Sequence, residues 1–281
     1  MAHPVLLDRF DSCPGKPYNG SRPAWLVGAG KSWSMASIRH LSNAPITEAL
    51  IDFRARLSPG SRVEDLGTVS ELTAAYPTRE DAWLIEGSFA FSPTSAQAVG
   101  SSAQRPNGYL FRSADGKQIA QFRLDGFTFN RLAPYTSWDE VEPEALRLWE
   151  IYRSVARPAS LYRIAVRTIN HIALPGTATE LDDLLTCAPR IPPEVPQLMA
   201  GFLSRVVVPL PMANTHVGIV QAMQLPPAAP PNTILLDLDV FRTEELDPSA
   251  EALRPIFTEF RTFKNRAFFG SLTEEAVRLF E

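Results

Sequence analysis

Arginines recur at even spacing through several short segments of this chain, and that spacing aims guanidinium groups at a common surface. Arg54 and Arg56 stand two apart in Glu48–Leu57, Arg112 and Arg123 flank a turn, and Arg163, Arg167 and His171 are four apart in Leu161–Leu174. Alternate side chains of a strand share a face. These residues are therefore expected on one sheet face, with Asn130 and Arg131 at its edge. Guanidinium forks suit phosphate or carboxylate, so the chemistry would be recognition of a small anion, a nucleotide or an RNA end. Two blander readings compete. The face could be solvated, or Glu48, Asp52, Asp237 and Asp239 could neutralise the arginines across an interface between two halves. The second carries more weight.

Asp237-x-Asp239 on a strand would project two carboxylates from one face about 7 Å apart. Such a pair could hold Mg²⁺ bridging phosphates, the basis of a metal-dependent nucleotidyl- or phosphoryl-processing reading. Other catalytic patterns are missing. His3, His40, His171 and His216 show no metal-ligand spacing, and no Gly-x-Ser-x-Gly elbow occurs. His171 reads as a hydrogen-bonded strand-end histidine ahead of a general base. Gly30-Lys31-Ser32 mimics the end of a phosphate-binding loop, but Trp25 stands where the motif needs glycine. Cys13 and Cys187 make neither a disulfide framework nor a zinc site, and Cys187 is expected as a small buried residue. Lys264-Asn265 is expected to cap a helix end, the lysine opposing the dipole.

The elements that would position these groups are mixed α and β. Glu48–Leu57 alternates, with Ala49, Ile51, Phe53 and Ala55 on the apolar face. Ser61-x-x-Glu64 predicts a capped helix to about Tyr76, and Trp83–Phe91 a strand. Asp115-Gly116 predicts a type I′ hairpin that pairs Ala114 with Lys117, Arg112 with Ile119, Leu110 with Gln121 and Tyr109 with Phe122. Gly126 is read as a bulge that returns Phe127 and Phe129 to the core and turns Thr128 and Asn130 to the polar face. A helix opens at Ser137, with Ala145, Leu148, Trp149 and Tyr152 at helical spacing. A Pro-rich connection, Cys187–Gln197, follows a short helix capped at Thr177 or Thr179. Strands are expected near Phe202–Leu210, His216–Leu225 and Asn232–Phe241, the last two split by Pro226–Pro231. Asp247-Pro248 predicts the start of a helix carrying Leu253, Ile256, Phe257 and Phe260, which Pro255 should kink or delay. Ser271-x-x-Glu274 would cap a final short helix.

The 281 residues carry a net charge of −4, distributed unevenly. Residues 1–35 have 4 basic and 2 acidic side chains, 36–176 have 15 of each, and 177–281 have 8 basic against 14 acidic. The missing basic excess argues against non-specific nucleic-acid binding. Lysine is confined to Lys16, Lys31, Lys117 and Lys264, so nearly all basic groups are arginine. No apolar run reaches the roughly 18 residues of a membrane span, and no charged-then-apolar leader opens the chain. Residues 1–35 are Pro-, Gly- and Ser-scattered, and MASIRHLSNAPITEAL from Met35 reads like a start. They are expected to be a disordered or mis-called tail. The remainder divides into 36–176, an α+β half with the Arg-rich face, and 177–281, an acidic α+β half.

Several stretches together resemble a sporadically distributed family of uncharacterised bacterial proteins. They are Asn43–Ala49 (NAPITEA), Phe122–Trp138, Trp149 with Tyr152, Arg163–Pro175 (RIAVRTINHIALP), Leu236–Phe241 (LDLDVF) and Lys264–Phe280 (KNRAFFGSLTEEAVRLF). The resemblance implies a bacterial accessory gene, of the kind found among defence or toxin–antitoxin systems, and implies no activity, substrate or catalytic residue.

The expectation is therefore a cytoplasmic α+β protein of two halves, each an antiparallel or mixed sheet packed against a long helix. It would act without catalysis, needing no cofactor, through a protein partner or a small anionic ligand. The Asp237–Asp239 enzyme and an RNA-binding Arg face are the alternatives.

Overall fold

The computed structural model describes residues 36–72, 74–90, 99–173, 181–197, 199–223 and 233–281, with the backbone alone in 85–90 and 99–103. The expectations for residues 1–35, Thr177, Thr179 and Pro226–Pro231 lie outside the described residues.

Alternation of apolar and polar residues builds strands β1 (Ile46–Leu57), β2 (Thr78–Ala90), β3 (Val99–Arg112), β4 (Gln118–Arg123) and β5 (Gly126–Leu132). Helix α1 (Trp138–Ala156) leads to β6 (Pro158–Ala173) and a single turn, α2 (Leu181–Leu184). Strands β7 (Phe202–Pro209), β8 (Thr215–Met223) and β9 (Thr233–Arg242) precede α3 (Ala250–Ser271) and α4 (Glu274–Arg278). All nine described strands join one antiparallel sheet in the order β2-β3-β4-β5-β1-β6-β9-β8-β7. The two expected sheets are thus continuous: β6 pairs with β9 from Ile164↔Arg242 to Ala173↔Thr233. No described helix is long and apolar enough to cross a membrane.

The helices lie over one sheet face. Ile51, Phe53, Phe122, Phe127 and Phe129 point at them and are essentially fully buried. Trp149 of α1 stacks on Phe53 with ring centroids 4.4 Å apart, and its indole N–H donates to the Pro248 carbonyl at 2.8 Å. Leu253, Phe257 and Phe260 of α3 continue the same core over β6 and β9. Burying each such side chain is worth about 2–3 kcal/mol.

Several local expectations are corrected. Arg112↔Ile119, Leu110↔Gln121 and Tyr109↔Phe122 pair as expected. The hairpin, however, closes at Ser113–Gln118, and Gly116 alone adopts positive φ (+70°) in the loop, so the turn is not type I′. Gly126 (φ +142°) is not a bulge within a long strand; it follows a two-residue turn, since Arg123 pairs with Gly126. Thr128 and Asn130 still face away from Phe127 and Phe129. Residues 61–76 form two 3₁₀ turns, Glu64–Gly67 and Ser70–Leu72, with no side-chain capping bond at the first. Ser249, two residues after Asp247, is the N-cap of α3, and Pro255 is accommodated inside that helix. Thr273, not Ser271, caps α4 by accepting from the Ala276 amide at 3.1 Å.

Candidate functional site

The sheet face opposite the helices carries a lattice of charges. Asp52 of β1 is its hub. Its carboxylate accepts from Arg54 Nε at 3.1 Å, Arg163 Nη1 at 3.1 Å, Arg123 Nη2 at 3.3 Å and the Thr128 hydroxyl at 2.6 Å. Arg54 and Arg123 also reach Asp125, which Asn107 binds at 3.0 Å. Burial alone would raise the Asp125 pKa, but Arg123, Asn107 and Arg54 outweigh it and hold the carboxyl below its ordinary value. Arg163 continues to Asp239 at 2.7 Å, and Arg167 binds Asp237 through Nε at 2.8 Å and Nη2 at 2.5 Å. Four arginines thus meet four aspartates. The four arginines line a cleft of about 500 Å³ together with Asp52 and Asp239, while Asp125 and Asp237 pair with them from outside its lining.

The other expected face residues are dispersed. Asn130 donates to Glu48 at 2.6 Å and accepts from Gln121 at 2.8 Å. Arg56 lies over the Tyr162 ring, 5.2 Å from its centroid, and Arg112 is 3.4 Å from Glu80. Arg131 is in phase with Phe127 and Phe129 along β5, which puts it on the helix-side face and removes it from the set. His171 is exposed near the end of β6, where its backbone N–H donates to Pro45. Asp237 and Asp239 do share a face, but both oxygens of Asp237 and one of Asp239 are engaged by arginine. Asp239 Oδ1 is buried without a partner, and its burial raises its pKa despite Arg163 and Arg167. Among the described residues, no three His, Cys, Asp or Glu side chains group as metal ligands.

A second site lies on the helix side. A cavity of about 390 Å³ opens between the segment Ile38–Leu41, the start of α1, the β6 residues Thr168 and Asn170, and α3. Lys264 reaches it from the middle of α3, which corrects the expected helix-end cap. The residue is only 6% exposed, and it forms no hydrogen bond or ion pair with any described residue. Burial, with Arg261 nearby, pushes its ammonium down to about 8. Of the charged groups around it, Arg261 is paired with Asp139 at 3.0 Å, and Arg39 with Glu274 at 2.8 Å and Glu281 at 2.7 Å. The lining therefore holds Arg39, Arg261 and Lys264, with the His40 imidazole, against one carboxylate, Asp139.

Further unmet polar capacity surrounds Lys264. Ser137, the N-cap of α1, lines the cavity and makes no side-chain capping bond, while Asp139 and Glu140 place carboxylates in the first turn of this 19-residue helix. Tyr135 contributes a hydroxyl with no partner among the described residues, and burial holds its pKa up at about 12. Asn170 is fully buried. Its amide nitrogen donates to the carbonyls of Leu236 (2.9 Å) and Thr168 (3.4 Å), leaving Oδ1 unbonded. Trp138, Phe268 and Phe269 supply apolar walls. The sequence signal for this site was the scarcity of lysine together with an apolar stripe running through Lys264, read instead as a helix terminus. Cys187, expected to be buried, is an exposed free thiol away from this cavity.

No family model matches the chain, and no curated protein matches it. The class defined here is thus structural: a nine-stranded antiparallel sheet with helices on one face, a charge-balanced lattice on the other and a cationic cavity beneath α3.

Proposed function

We propose that the protein is a non-enzymatic binding or regulatory module for a small anionic ligand, held in the cavity between α1, β6 and α3. One observation carries the reading: Lys264 is buried without a counter-ion. An unpaired buried charge costs several kcal/mol, a cost that a bound anion would offset. The N-terminus of α1, without a side-chain cap at Ser137, supports it, because amide dipoles converging on a helix N-terminus favour negative charge. The Arg-rich face, first in line from sequence, serves in this reading as scaffold, its arginines taken by Asp52, Asp125, Asp237 and Asp239. A metal bound at Asp237 and Asp239 would have to displace Arg167 and Arg163, and an RNA on this face would compete with the same carboxylates. The packing of α1 over β1 and β5, and of α3 over β6, β8 and β9, supports reading the sheet as two helix-backed halves.

The test is a thermal-shift and calorimetric screen of the full chain against inorganic phosphate, simple carboxylates and nucleotides, with and without Mg²⁺. Binding should disappear in Lys264→Met and survive in Arg167→Ala. Binding that survives Lys264→Met, or is lost in Arg167→Ala alone, would return the site to the sheet face.

A further inference from the structure

The cation chosen for this cavity is chemically informative. Every ion pair among the described residues uses arginine, on both faces of the sheet and on the helices. For holding an anion alone, arginine would be the stronger choice, since its planar fork binds carboxylate at two points. At the buried, unpaired position the chain instead places one of its four lysines. The property that lysine has and arginine lacks is a cation able to lose its proton and expose a nucleophilic amine.

We propose that Lys264 captures a small oxo acid, a carbonyl compound bearing a carboxylate, as a reversible imine in this cavity. The inference rests on the anion-site reading and adds the ligand's second functional group. The carboxylate would lie at the amides that open α1, beside Arg261. Its carbonyl carbon would face Lys264 Nζ, and its side chain would lie against Trp138, Phe268 and Phe269. Holding the anionic group at one end turns attack by the amine into an intramolecular event.

The step balances without a further reagent. The free amine of Lys264 donates its lone pair to the carbonyl carbon, while the carbonyl π electrons move to oxygen. A proton passes from nitrogen to that oxygen and gives the neutral carbinolamine. Protonation of the hydroxyl, for which the phenol of Tyr135 in the cavity lining would serve as donor, releases water as the nitrogen lone pair forms C=N. The resulting iminium returns a proton to Tyr135, so ketone and amine have become imine and water. Burial assists, because an ammonium near 8 leaves roughly a tenth of Lys264 as free amine at neutral pH.

The experiment is borohydride trapping on the full chain with pyruvate and with phenylpyruvate, followed by intact mass and peptide mapping. One reduced adduct per chain is expected, on Lys264, forming about ten-fold faster than any adduct on Lys117. Lys264→Arg, if folded by its melting curve, should keep carboxylate binding and lose the adduct. Wild-type protein that binds carboxylates but yields no adduct at Lys264, or labels Lys117 equally, overturns the imine while leaving the anion site intact. Wild-type protein that neither binds carboxylates nor forms the adduct overturns both.

Discussion

Arg167 on β6 donates through Nε and Nη2 to the two carboxylate oxygens of Asp237 on β9, and the two residues belong to opposite halves of the sequence. The fork lies beside the β6–β9 ladder that makes one sheet of what alternation alone reads as two. Asp237 is 12% exposed in its side chain and Arg167 44%, so the carboxylate depends on the arginine more than the reverse.

Arg167→Ala should therefore destabilise by about 1–2 kcal/mol, the arginine's exposure tempering the cost of a stranded buried charge. Adding Asp237→Leu should recover most of that loss, which urea denaturation of the single and double variants would measure. No recovery would mean that Asp237 does more than balance Arg167.

Asp52 has a larger role, because three arginines and Thr128 converge on it. Asp52→Ala should cost about 3 kcal/mol, with Asp52→Asn intermediate, read as a drop in the denaturation midpoint at unchanged slope. A loss below about 1 kcal/mol would show that solvent readily replaces the hub.

Lys264→Met should stabilise the protein at neutral pH. The folded ammonium titrates near 8 and the unfolded one near 10.5, so the unfolded chain binds more protons between those values. Stability contributed by this group consequently rises as pH climbs from about 8 to 10.5, and the full penalty, about 3 kcal/mol, applies below 8. The stability gap between variant and wild type should close over that window. A gap independent of pH would show that the lysine is paired or hydrated in the fold.

Gly126→Ala tests the turn that aligns β4, β5 and β1. A Cβ there would lie 1.9 Å from the Phe53 carbonyl oxygen, at a φ of +142° that L-residues avoid. The substitution should cost more than about 3 kcal/mol and lower the thermal midpoint by at least roughly 6–12 °C, as differential scanning calorimetry would show. Gly116→Ala, at φ +70° with open space around it, should cost only about 1 kcal/mol.

Much of the local architecture was legible in the chain because it depends on neighbours in sequence. Period-two alternation determined which face of Glu48–Leu57, Phe122–Arg123 and Leu161–Leu174 carries charge, and helical spacing determined that Trp149 and Tyr152 turn inward. The even spacing of Arg163 and Arg167, and of Asp237 and Asp239, even named the residues that meet. What sequence could not decide was strand order, since every strand is equally able to hydrogen-bond any other, and so whether the halves form one sheet. Nor could it decide Lys264. A lysine in an apolar helical stripe reads as a cap or as a snorkelling side chain, and only the packing of α3 against β6 and the start of α1 encloses it beside a carboxylate, Asp139, that Arg261 already holds. Alternation is a property of one strand, whereas burial and charge pairing belong to elements far apart in the chain, and the tertiary structure alone brings those together.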